Sequence, residues 1–324
     1  MIKNIFFECK GPFPVDSLFN NIKEKKKIFD IKNIVDATEN DLTFLDSADY
    51  LEAAKSTKAT YCLTTEKHKI YLSKNCEPII VKNVLFDLCK IIRKFYPNAD
   101  IDIPDSTLKP PKNNSYLEVK FGNNVLVGKN SKIGKNTIIG SNTIIEANVS
   151  IGDNCTIGSQ VVIRNSLIGN NVVIQDGCKI GLKGFGFIPL KEKNLRFPHI
   201  GKVIVKDDAE IGANCTIDRG SINDTIIGKN TFLDNQVHMA HNVKIGDNCM
   251  IAGQVGFAGS SSIGNNVSIG GQAGISGHLK IGNNVKIGGG SGVVKDIKDG
   301  AVVMGYPAMS LKLFVRNLKK WVIQ

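Results

Sequence analysis

The 324-residue sequence has few aromatic side chains, which make up 7% of it and include a single tryptophan. It also lacks any apolar run near the roughly 18 residues of a membrane-spanning helix, so we expect no integral membrane segment. The first residues, MIKNIFFECKGPF, lack the layout of a signal peptide, and we therefore expect a cytoplasmic protein. What the chain does contain is 32 glycines and 42% apolar residues, which favours tight turns around an aliphatic core.

Positive charge exceeds negative charge by a wide margin. The chain has 41 lysines and arginines against 30 aspartates and glutamates, a formal net charge of +11. Such a surface attracts acidic partners. The candidates are nucleic acid, an anionic membrane surface, a phosphorylated metabolite and an acidic carrier protein, and charge alone does not choose among them.

A six-residue repeat fills the second half of the chain. An aliphatic or aromatic residue recurs at every sixth position over 121–163, 168–180, 205–217 and 227–293. Hexapeptide repeats predict a parallel β-helix, in which three hexads form a triangular coil of about 18 residues and coils stack about 4.8 Å apart. Coils of this sequence type are left-handed in known proteins, so we expect a mainly β protein built on a left-handed parallel β-helix.

The cysteines are consistent with this register. Four of the eight lie four residues after an apolar repeat position, where a coil holds small inward side chains: Cys155, Cys178, Cys215 and Cys249. We expect them to pack in the interior, since an unpaired cysteine behaves as a small apolar residue. The other four lack CxxC spacing, so we expect neither disulfides nor a structural zinc site.

The first hundred residues follow a different pattern. Short β-like runs such as ATYCLTT alternate with helical stretches, and VLFDLCKIIRKFY places Leu85, Leu88, Ile91 and Ile92 on one helical face. Residues 1–100 therefore predict a small α/β domain.

The remaining segments have their own composition. Residues 101–118, rich in proline, lysine and asparagine, predict a linker. The repeat spans 119–305 with an irregular insert at 181–202. Residues 306–324 predict an amphipathic C-terminal helix with a basic side, which we expect to cap the open end of the β-helix or to pack in an oligomer, and which can also dock a partner.

Two of the five histidines, His238 and His241, lie in the stretch NQVHMAHNVKIG. His241 comes two residues after an inward position, and one coil later the same corner holds Gly259. A further coil reaches Gly277, next to His278. We therefore expect His241, Gly259 and His278 to line one edge of three successive coils, with the two histidines about 10 Å apart along the axis.

That separation bears on metal binding. It is too large for one ion within a subunit, because zinc–imidazole bonds are about 2 Å long. Trimeric hexapeptide proteins with carbonic anhydrase chemistry bind zinc between subunits, but they combine a third histidine with an HxxxxH pair, unlike the spacing of His238 and His241. We expect no metal. The interpretations that remain are a groove in which one histidine does the chemistry and another helps hold the substrate, or a solvated corner, with a supporting or neutral role for His238.

Several stretches together resemble one family. DNQVHMAHNVKIGDN, the glycine of FAGS, GISGH, TIDRGSINDTIIG, the GFGF insert and LTFLDSADY are similar to the UDP-3-O-acyl-glucosamine N-acyltransferases of lipid A biosynthesis. This family transfers a 3-hydroxyacyl chain from acyl carrier protein to the 2-amino group of a UDP-3-O-acyl-glucosamine. The resemblance covers nearly the whole chain, and the hexapeptide repeat alone would be far less specific.

The resemblance assigns roles to residues of the repeat. His241 matches the catalytic base, which takes a proton from the attacking amine, and Gly259 supplies a backbone N–H to the oxyanion. His278 matches the second active-site histidine, for substrate positioning or proton relay. Asp234 and Asn235 are candidates to orient His241 or the sugar. Asn235 and Gln236 are further candidates for substrate binding, and no covalent intermediate or cofactor is implied.

The resemblance also implies a nucleotide site in the first domain. Phe44 and Tyr50 match an F-x-x-N-x-x-Y pattern whose aromatic rings hold uracil. Ser47 replaces the central asparagine, so one hydrogen bond to uracil is in question. In the insert, Lys183 replaces an acidic residue before GFGF, and His199 occupies the place of a polar residue near the substrate.

The resemblance suggests the partners, and a glycine-rich turn suggests where an acyl chain fits. Acyl carrier protein, rather than nucleic acid, becomes the acidic partner, and its docking candidates are Lys312, Arg316, Lys319 and Lys320. Gly292 closes a glycine-rich turn that leaves room for a long acyl chain. The family's sites lie between subunits, so we expect a homotrimer.

Two rival functions stay open. A UDP-N-acetylglucosamine O-acyltransferase shares the repeat, but that family lacks an N-terminal uridine domain of this kind. A non-catalytic trimeric scaffold would keep the fold without the chemistry.

Overall fold

The computed structural model describes residues 4–19, 22–97, 99–112, 116, 118–305 and 316–317. Within these residues the dominant element is a parallel β-helix whose strands form three sheets of ten, nine and eight strands. Neighbouring strands are related by one coil, as in the parallel pairing of His238 with Gly256 and of Met239 with Phe257. The predicted parallel β-helix is confirmed.

The three sheets are the faces of a prism, numbered in the order in which the chain first visits them. The first face contains Lys120–Phe121, Ile138–Ile139, Thr156–Ile157, Val173–Ile174, Glu210–Ile211, Phe232–Leu233, Met250–Ile251, Ser268–Ile269, Lys286–Ile287 and Val302–Val303. The second face contains Leu126–Val127, Ile144–Ile145, Val162–Ile163, Lys179–Leu182, Thr216–Asp218, His238–Met239, Gly256–Phe257, Gly274–Ile275 and Gly292–Val293. The third face contains Lys132–Ile133, Ser150–Ile151, Ser166–Ile168, Val203–Val205, Thr225–Ile227, Lys244–Ile245, Ser262–Ile263 and Lys280–Ile281.

The repeat positions fill the interior of the prism. Ile139, Ile217 and Met239 are fully buried and belong to one continuous apolar core. The predicted inward cysteines are confirmed as well, since all four are buried free thiols: Cys155, Cys178, Cys215 and Cys249. Apolar area removed from water along this core is the main source of stability of the β-helix.

Asparagine closes many of the corners. Asn154 and Asn248 have φ angles of 56° and 58°, in the left-handed region that asparagine tolerates better than most residues. Stacked corner side chains also bond to each other, as Asn248 accepts a hydrogen bond of 2.9 Å from Asn230 one coil away. The corners therefore add a polar ladder to the apolar interior.

The N-terminal residues form a small α/β unit. Four parallel strands, in the order Asp30–Ile31, Asp41–Leu45, Tyr61–Thr64 and Glu77–Ile80, pack against the helix Val84–Phe95. The other elements are a hairpin of Phe13–Pro14 with Lys27–Ile28, the helices Val15–Leu18 and Leu51–Ser56, and the 3₁₀ helices Ala48–Tyr50 and Lys69–Tyr71. The predicted face of Val84–Phe95 is wrong in one residue. Leu85 is 39% exposed and Val84 is buried in its place.

The segment predicted as a linker is bonded to the first coils. Asp105 accepts a hydrogen bond of 2.8 Å from the Ala147 N–H, and Lys109 pairs with Val127 as an antiparallel bridge. Farther along the chain, the insert forms a hairpin of Phe187–Pro189 with Asn194–Arg196. Ile200 at its end packs in the core of the N-terminal unit, so the insert joins that unit to the β-helix.

The predicted C-terminal helix lies largely outside the described residues. Of 306–324 only Arg316 and Asn317 are described, and both are helical. In the described part of the chain, no helix is long and apolar enough to cross a membrane.

A pair of neighbouring isoleucines tests the prism interior. Ile139 is fully buried, whereas Ile138 on the same strand faces outward and is 45% exposed. We expect Ile139→Ala to lower the free energy of unfolding by about 2–5 kcal/mol, because it leaves a cavity in the core. Ile138→Ala, the matched control, should lower it by less than about 1 kcal/mol. Urea unfolding of both variants measures the difference, and equal losses would contradict the assigned register.

Candidate functional site

His241, Gly259 and His278 lie on successive coils at the corner that follows the second face. The Ser260 N–H donates to the His241 carbonyl at 2.9 Å, and the His278 N–H donates to the Gly259 carbonyl at 3.1 Å. A Cβ on Gly259 would lie 2.8 Å from Nε2 of His241, so a side chain there would displace the imidazole. The predicted alignment of the three residues is confirmed, and we call this the His241 corner.

Asn242 orients the ring of His241. Its Oδ1 lies 3.0 Å from Nδ1 of His241 and also accepts from the Ser221 N–H and hydroxyl. Its Nδ2 donates to the Asn223 carbonyl at 2.8 Å, which fixes the amide orientation. Because Oδ1 can only accept, Nδ1 of His241 carries the proton. The lone pair is therefore left on Nε2, the nitrogen closer to Gly259.

The insert brings a second histidine against the first. The ring centroids of His199 and His241 are 5.0 Å apart with an interplanar angle of 69°. Nδ1 of His199 lies 3.0 Å from the Phe197 carbonyl, and its buried Nε2 has no hydrogen-bond partner among the described residues. Gly184 makes this contact possible, since a Cβ there would lie 2.6 Å from Cβ of His241 and 2.9 Å from Nε2 of His199.

Burial keeps both imidazoles neutral near pH 7. It lowers the pKa of His241, and the charge of His278 lowers it further while the hydrogen bond that its Nδ1–H donates to Asn242 opposes the shift. It lowers the pKa of His199 to about 3, helped by the charges of His241 and Arg219. A neutral imidazole with its lone pair on Nε2 is the form that can accept a proton.

A buried arginine lies beside the two histidines. Arg219 is fully buried and donates to the His199 carbonyl at 2.9 Å and to Asp102 at 2.7 Å. Burial raises the pKa of Asp102, but Arg219 and the other donors around it pull that pKa below its ordinary value. Burial also raises the pKa of the neighbouring Asp218, to about 7. Asp102 is therefore the charged partner of Arg219.

Asp234 does not orient His241 of its own chain, so that expectation is wrong within a single subunit. Asp234 and Asn235 follow the first face, one corner away from His241, and the partner of the His241 ring is Asn242. The Asn235 side chain accepts from the Ala213 N–H at 2.8 Å. Gln236 begins a ladder in which Gln254 donates to it at 2.8 Å. Asp234 and Asn235 line a shallow apolar cavity of about 770 Å³ on the first face.

The nucleotide-site candidates lie on the first domain. Phe44 is half-buried and packs against the domain core, whereas Tyr50 is 49% exposed. The Ser47 hydroxyl donates to Asp49 at 3.0 Å. The pKa of Asp46 is raised by loss of hydration, and the charge of His278 opposes that rise, so this loop lies within electrostatic reach of the His241 corner.

On the coils that follow His238, the outward positions of the second face carry no side chains. The His238 ring lies 2.8 Å from the Thr216 hydroxyl, and the next three outward positions are Gly256, Gly274 and Gly292. A Cβ added to any of these glycines would meet nothing within 4 Å. They form an open strip, which we call the glycine strip, beside the His241 corner. Of the docking candidates, Lys312, Lys319 and Lys320 lie outside the described residues.

Sequence reasoning missed Asn242, Arg219 and Asp102. Asn242 was visible as the residue after His241, and Arg219 as the arginine of TIDRG. Their roles could not be read from the sequence. Asn242 contacts His241 only through the geometry of the corner, and the contact between Arg219 and Asp102 joins residues 117 positions apart.

Two family models match segments of the chain. A family model described as UDP-3-O-(3-hydroxymyristoyl) glucosamine N-acyltransferase, LpxD, matches residues 26–94. A model of the bacterial transferase hexapeptide, with six repeats, matches 118–150, 130–165 and 224–259. These matches confirm the predicted resemblance for the first domain and for the repeat.

Two curated relatives and one solved structure extend the comparison. The UDP-3-O-acylglucosamine N-acyltransferase 2 of Nitrobacter winogradskyi is 40% identical over 213 residues, 63% of this chain and 62% of its own length. The UDP-3-O-acylglucosamine N-acyltransferase of Rhizobium rhizogenes is 50% identical over 80 residues, 25% of this chain and 22% of its own length. The matched segments thus cover less than two thirds of either relative. A UDP-N-acetylglucosamine acyltransferase from Campylobacter jejuni has a TM-score of 0.52 at 23% identity over 61% of this chain and 77% of its own, which supports the fold.

The neutral partner of His241 gives a prediction about its pKa. In Asn242→Asp a carboxylate replaces the amide at Nδ1, which stabilises the imidazolium, so we expect the pKa of His241 to rise by about one unit or more. NMR titration of the ring, assigned with His241→Gln, measures the shift. Asn248→Asp makes the same charge change at another corner and should leave His241 unchanged. If the pKa of His241 is the same in Asn242→Asp as in the unmodified protein, the assigned contact is refuted.

Proposed function

We propose that this chain is a UDP-3-O-acyl-glucosamine N-acyltransferase of lipid A biosynthesis, with His241 as the general base. The observation that carries the proposal is the His241 corner itself, where a neutral imidazole with its lone pair on Nε2 faces Gly259. The first domain matches the N-acyltransferase family model, which supports a role for this domain in binding the nucleotide part of the substrate.

The reaction needs one base and one oxyanion donor. The lone pair of the 2-amino group attacks the thioester carbonyl while Nε2 of His241 accepts the N–H proton. The oxyanion of the tetrahedral intermediate receives a hydrogen bond from the Gly259 N–H, which donates to no acceptor among the described residues. When the C–S bond breaks, the imidazolium returns its proton to the leaving thiolate. No cofactor and no covalent enzyme intermediate take part.

Other residues hold the substrate. His278 is exposed at the corner, where it positions the substrate or relays a proton. Phe44 and Tyr50 hold the uracil ring, and the Ser47 hydroxyl offers it a hydrogen bond. His199 contributes a buried imidazole beside His241.

The acyl donor is acyl carrier protein. Its acidic surface complements the net charge of +11, and Lys312, Arg316, Lys319 and Lys320 are the proposed docking residues. The glycine strip receives the acyl chain, with Gly292 at its far end.

The active enzyme is a C3 trimer. A trimer would form three identical grooves and cover the apolar cavity beside Asp234 and Asn235. In such an assembly, Asp234, Asn235 and Gln236 act at the His241 corner of a neighbouring subunit.

An O-acyltransferase acting on UDP-N-acetylglucosamine is the second candidate, since a UDP-N-acetylglucosamine acyltransferase shares the fold. The matched N-terminal unit favours the N-acyltransferase. Assays with both acceptors separate the two reactions, and a scaffold without activity acylates neither.

Removal of the base tests the proposal. We expect His241→Ala to lower kcat for N-acylation by at least about 100-fold, because no other described group replaces the proton acceptor. His238→Ala, a histidine three residues away on the outer face, should retain activity within about threefold. Turnover near that of the unmodified enzyme in His241→Ala would refute the enzyme interpretation. Unchanged activity with a chelator would separate this chemistry from the zinc alternative.

The glycine strip predicts acyl-chain selectivity. In Gly292→Met a side chain enters open space at the end of the strip, so we expect preference to shift toward shorter chains by about tenfold in kcat/KM. Ser262→Met adds the same side chain on the third face and serves as control. Competition between carrier-protein thioesters of different length measures the ratio, and unchanged selectivity in Gly292→Met would exclude the strip as the acyl site.

A further inference from the structure

We infer that Arg219 is a positioning residue that holds His199 against His241 and joins the first domain to the His241 corner. The inference rests on the proposed function in one respect, namely that His241 is the base. The contacts that carry it are independent of any reaction.

Arg219 bonds to three separate segments of the chain. Its guanidinium donates to the Ala99 carbonyl at 3.3 Å and to Asp102 at 2.7 Å, both at the exit of the first domain. It donates to the Gly181 carbonyl at 3.2 Å, where the insert begins. It donates to the His199 carbonyl at 2.9 Å, near the end of the insert.

Only arginine offers this geometry. A guanidinium has five N–H donors in a planar fork, whereas a lysine ammonium is a single compact group on a flexible stem. The side chain is fully buried, so water does not compete for these carbonyls. One residue therefore fixes both ends of the insert against the strand that precedes His241 by one coil.

The insert in turn closes one side of the His241 ring. Gly184 packs on Cβ of His241, and Gly186 and Gly184 pack on the ring of His199. With its backbone held by Arg219, His199 excludes water from that side of His241. The titratable and charged groups that face His199 are His241, Arg219 and Arg196.

A second arginine, whose side chain is 14% exposed, provides a matched control. Arg164 pairs with Glu146 and lies 3.7 Å from Asp102, in the same charged cluster. Among the described residues, the Arg164 side chain donates no hydrogen bond to the insert at 181–202. Arg164→Lys and Arg219→Lys thus make the same chemical change, but only the second breaks the contacts with Gly181 and His199.

The experiment combines histidine NMR with kinetics. The chain has five histidines, so ¹³C-labelled imidazole signals can each be assigned by single substitution. In the unmodified protein, the His199 signal should not titrate between about pH 5 and pH 8, and in Arg219→Lys it should titrate there because water reaches the ring. We expect kcat to fall by about tenfold or more in Arg219→Lys with KM within about twofold, the signature of misplaced catalytic groups. Arg164→Lys should leave both readouts unchanged.

The outcomes separate the two ideas. Unchanged His199 and His241 titrations in Arg219→Lys, or the same changes in Arg164→Lys, would overturn the positioning role. An unmodified protein without N-acyl transfer would overturn the proposed function, while the titrations still decide the role of Arg219. Should Arg219→Lys not fold, Arg219→Met combined with Asp102→Asn leaves no buried charge unpaired, and the same titrations and kinetics apply to it.

Discussion

The stacking of coils in register is the constraint on which the rest of the molecule depends. Each coil pairs with the next through parallel backbone hydrogen bonds, so the neighbour of a residue in space is one coil further along the chain. The apolar interior fixes that register, because a slip of one residue would turn the buried side chains outward. His241, Gly259 and His278 share a corner for this reason, although no two of them are close in sequence.

The chemistry of the corner is set by neutral partners. His241 receives its orientation from an amide rather than a carboxylate, and its nearest aromatic neighbour is a histidine whose pKa is far below neutrality. Neither partner stabilises an imidazolium. Arg219 and Asp102 carry full charges but pair with each other, so they hold the insert without placing a counter-ion beside His241.

Much of the fold could be predicted from the sequence because each hexad carries its own signal, and the shared corner of His241 and Gly259 followed from counting. The partners of the histidines could not. The contact of Arg219 with Asp102 joins distant segments, and the contact of Asn242 with His241 is made at a corner where Asn242 has a φ of 63°. Asp234 is near His241 in sequence, yet seven residues carry the chain to another corner. The predicted burial of Leu85 in the helix Val84–Phe95 is wrong, because helical periodicity alone does not decide which of two adjacent residues at the edge of an apolar face is buried.

In the proposed reaction the amine meets His241 at this corner while the first domain holds the nucleotide. A crystal structure with a UDP-3-O-acyl-glucosamine bound tests it most directly. We expect the 2-amino nitrogen at about 3 Å from Nε2 of His241 and the uracil ring against Phe44 and Tyr50. An amine bound at a different corner, with Nε2 of His241 facing only solvent, would contradict it.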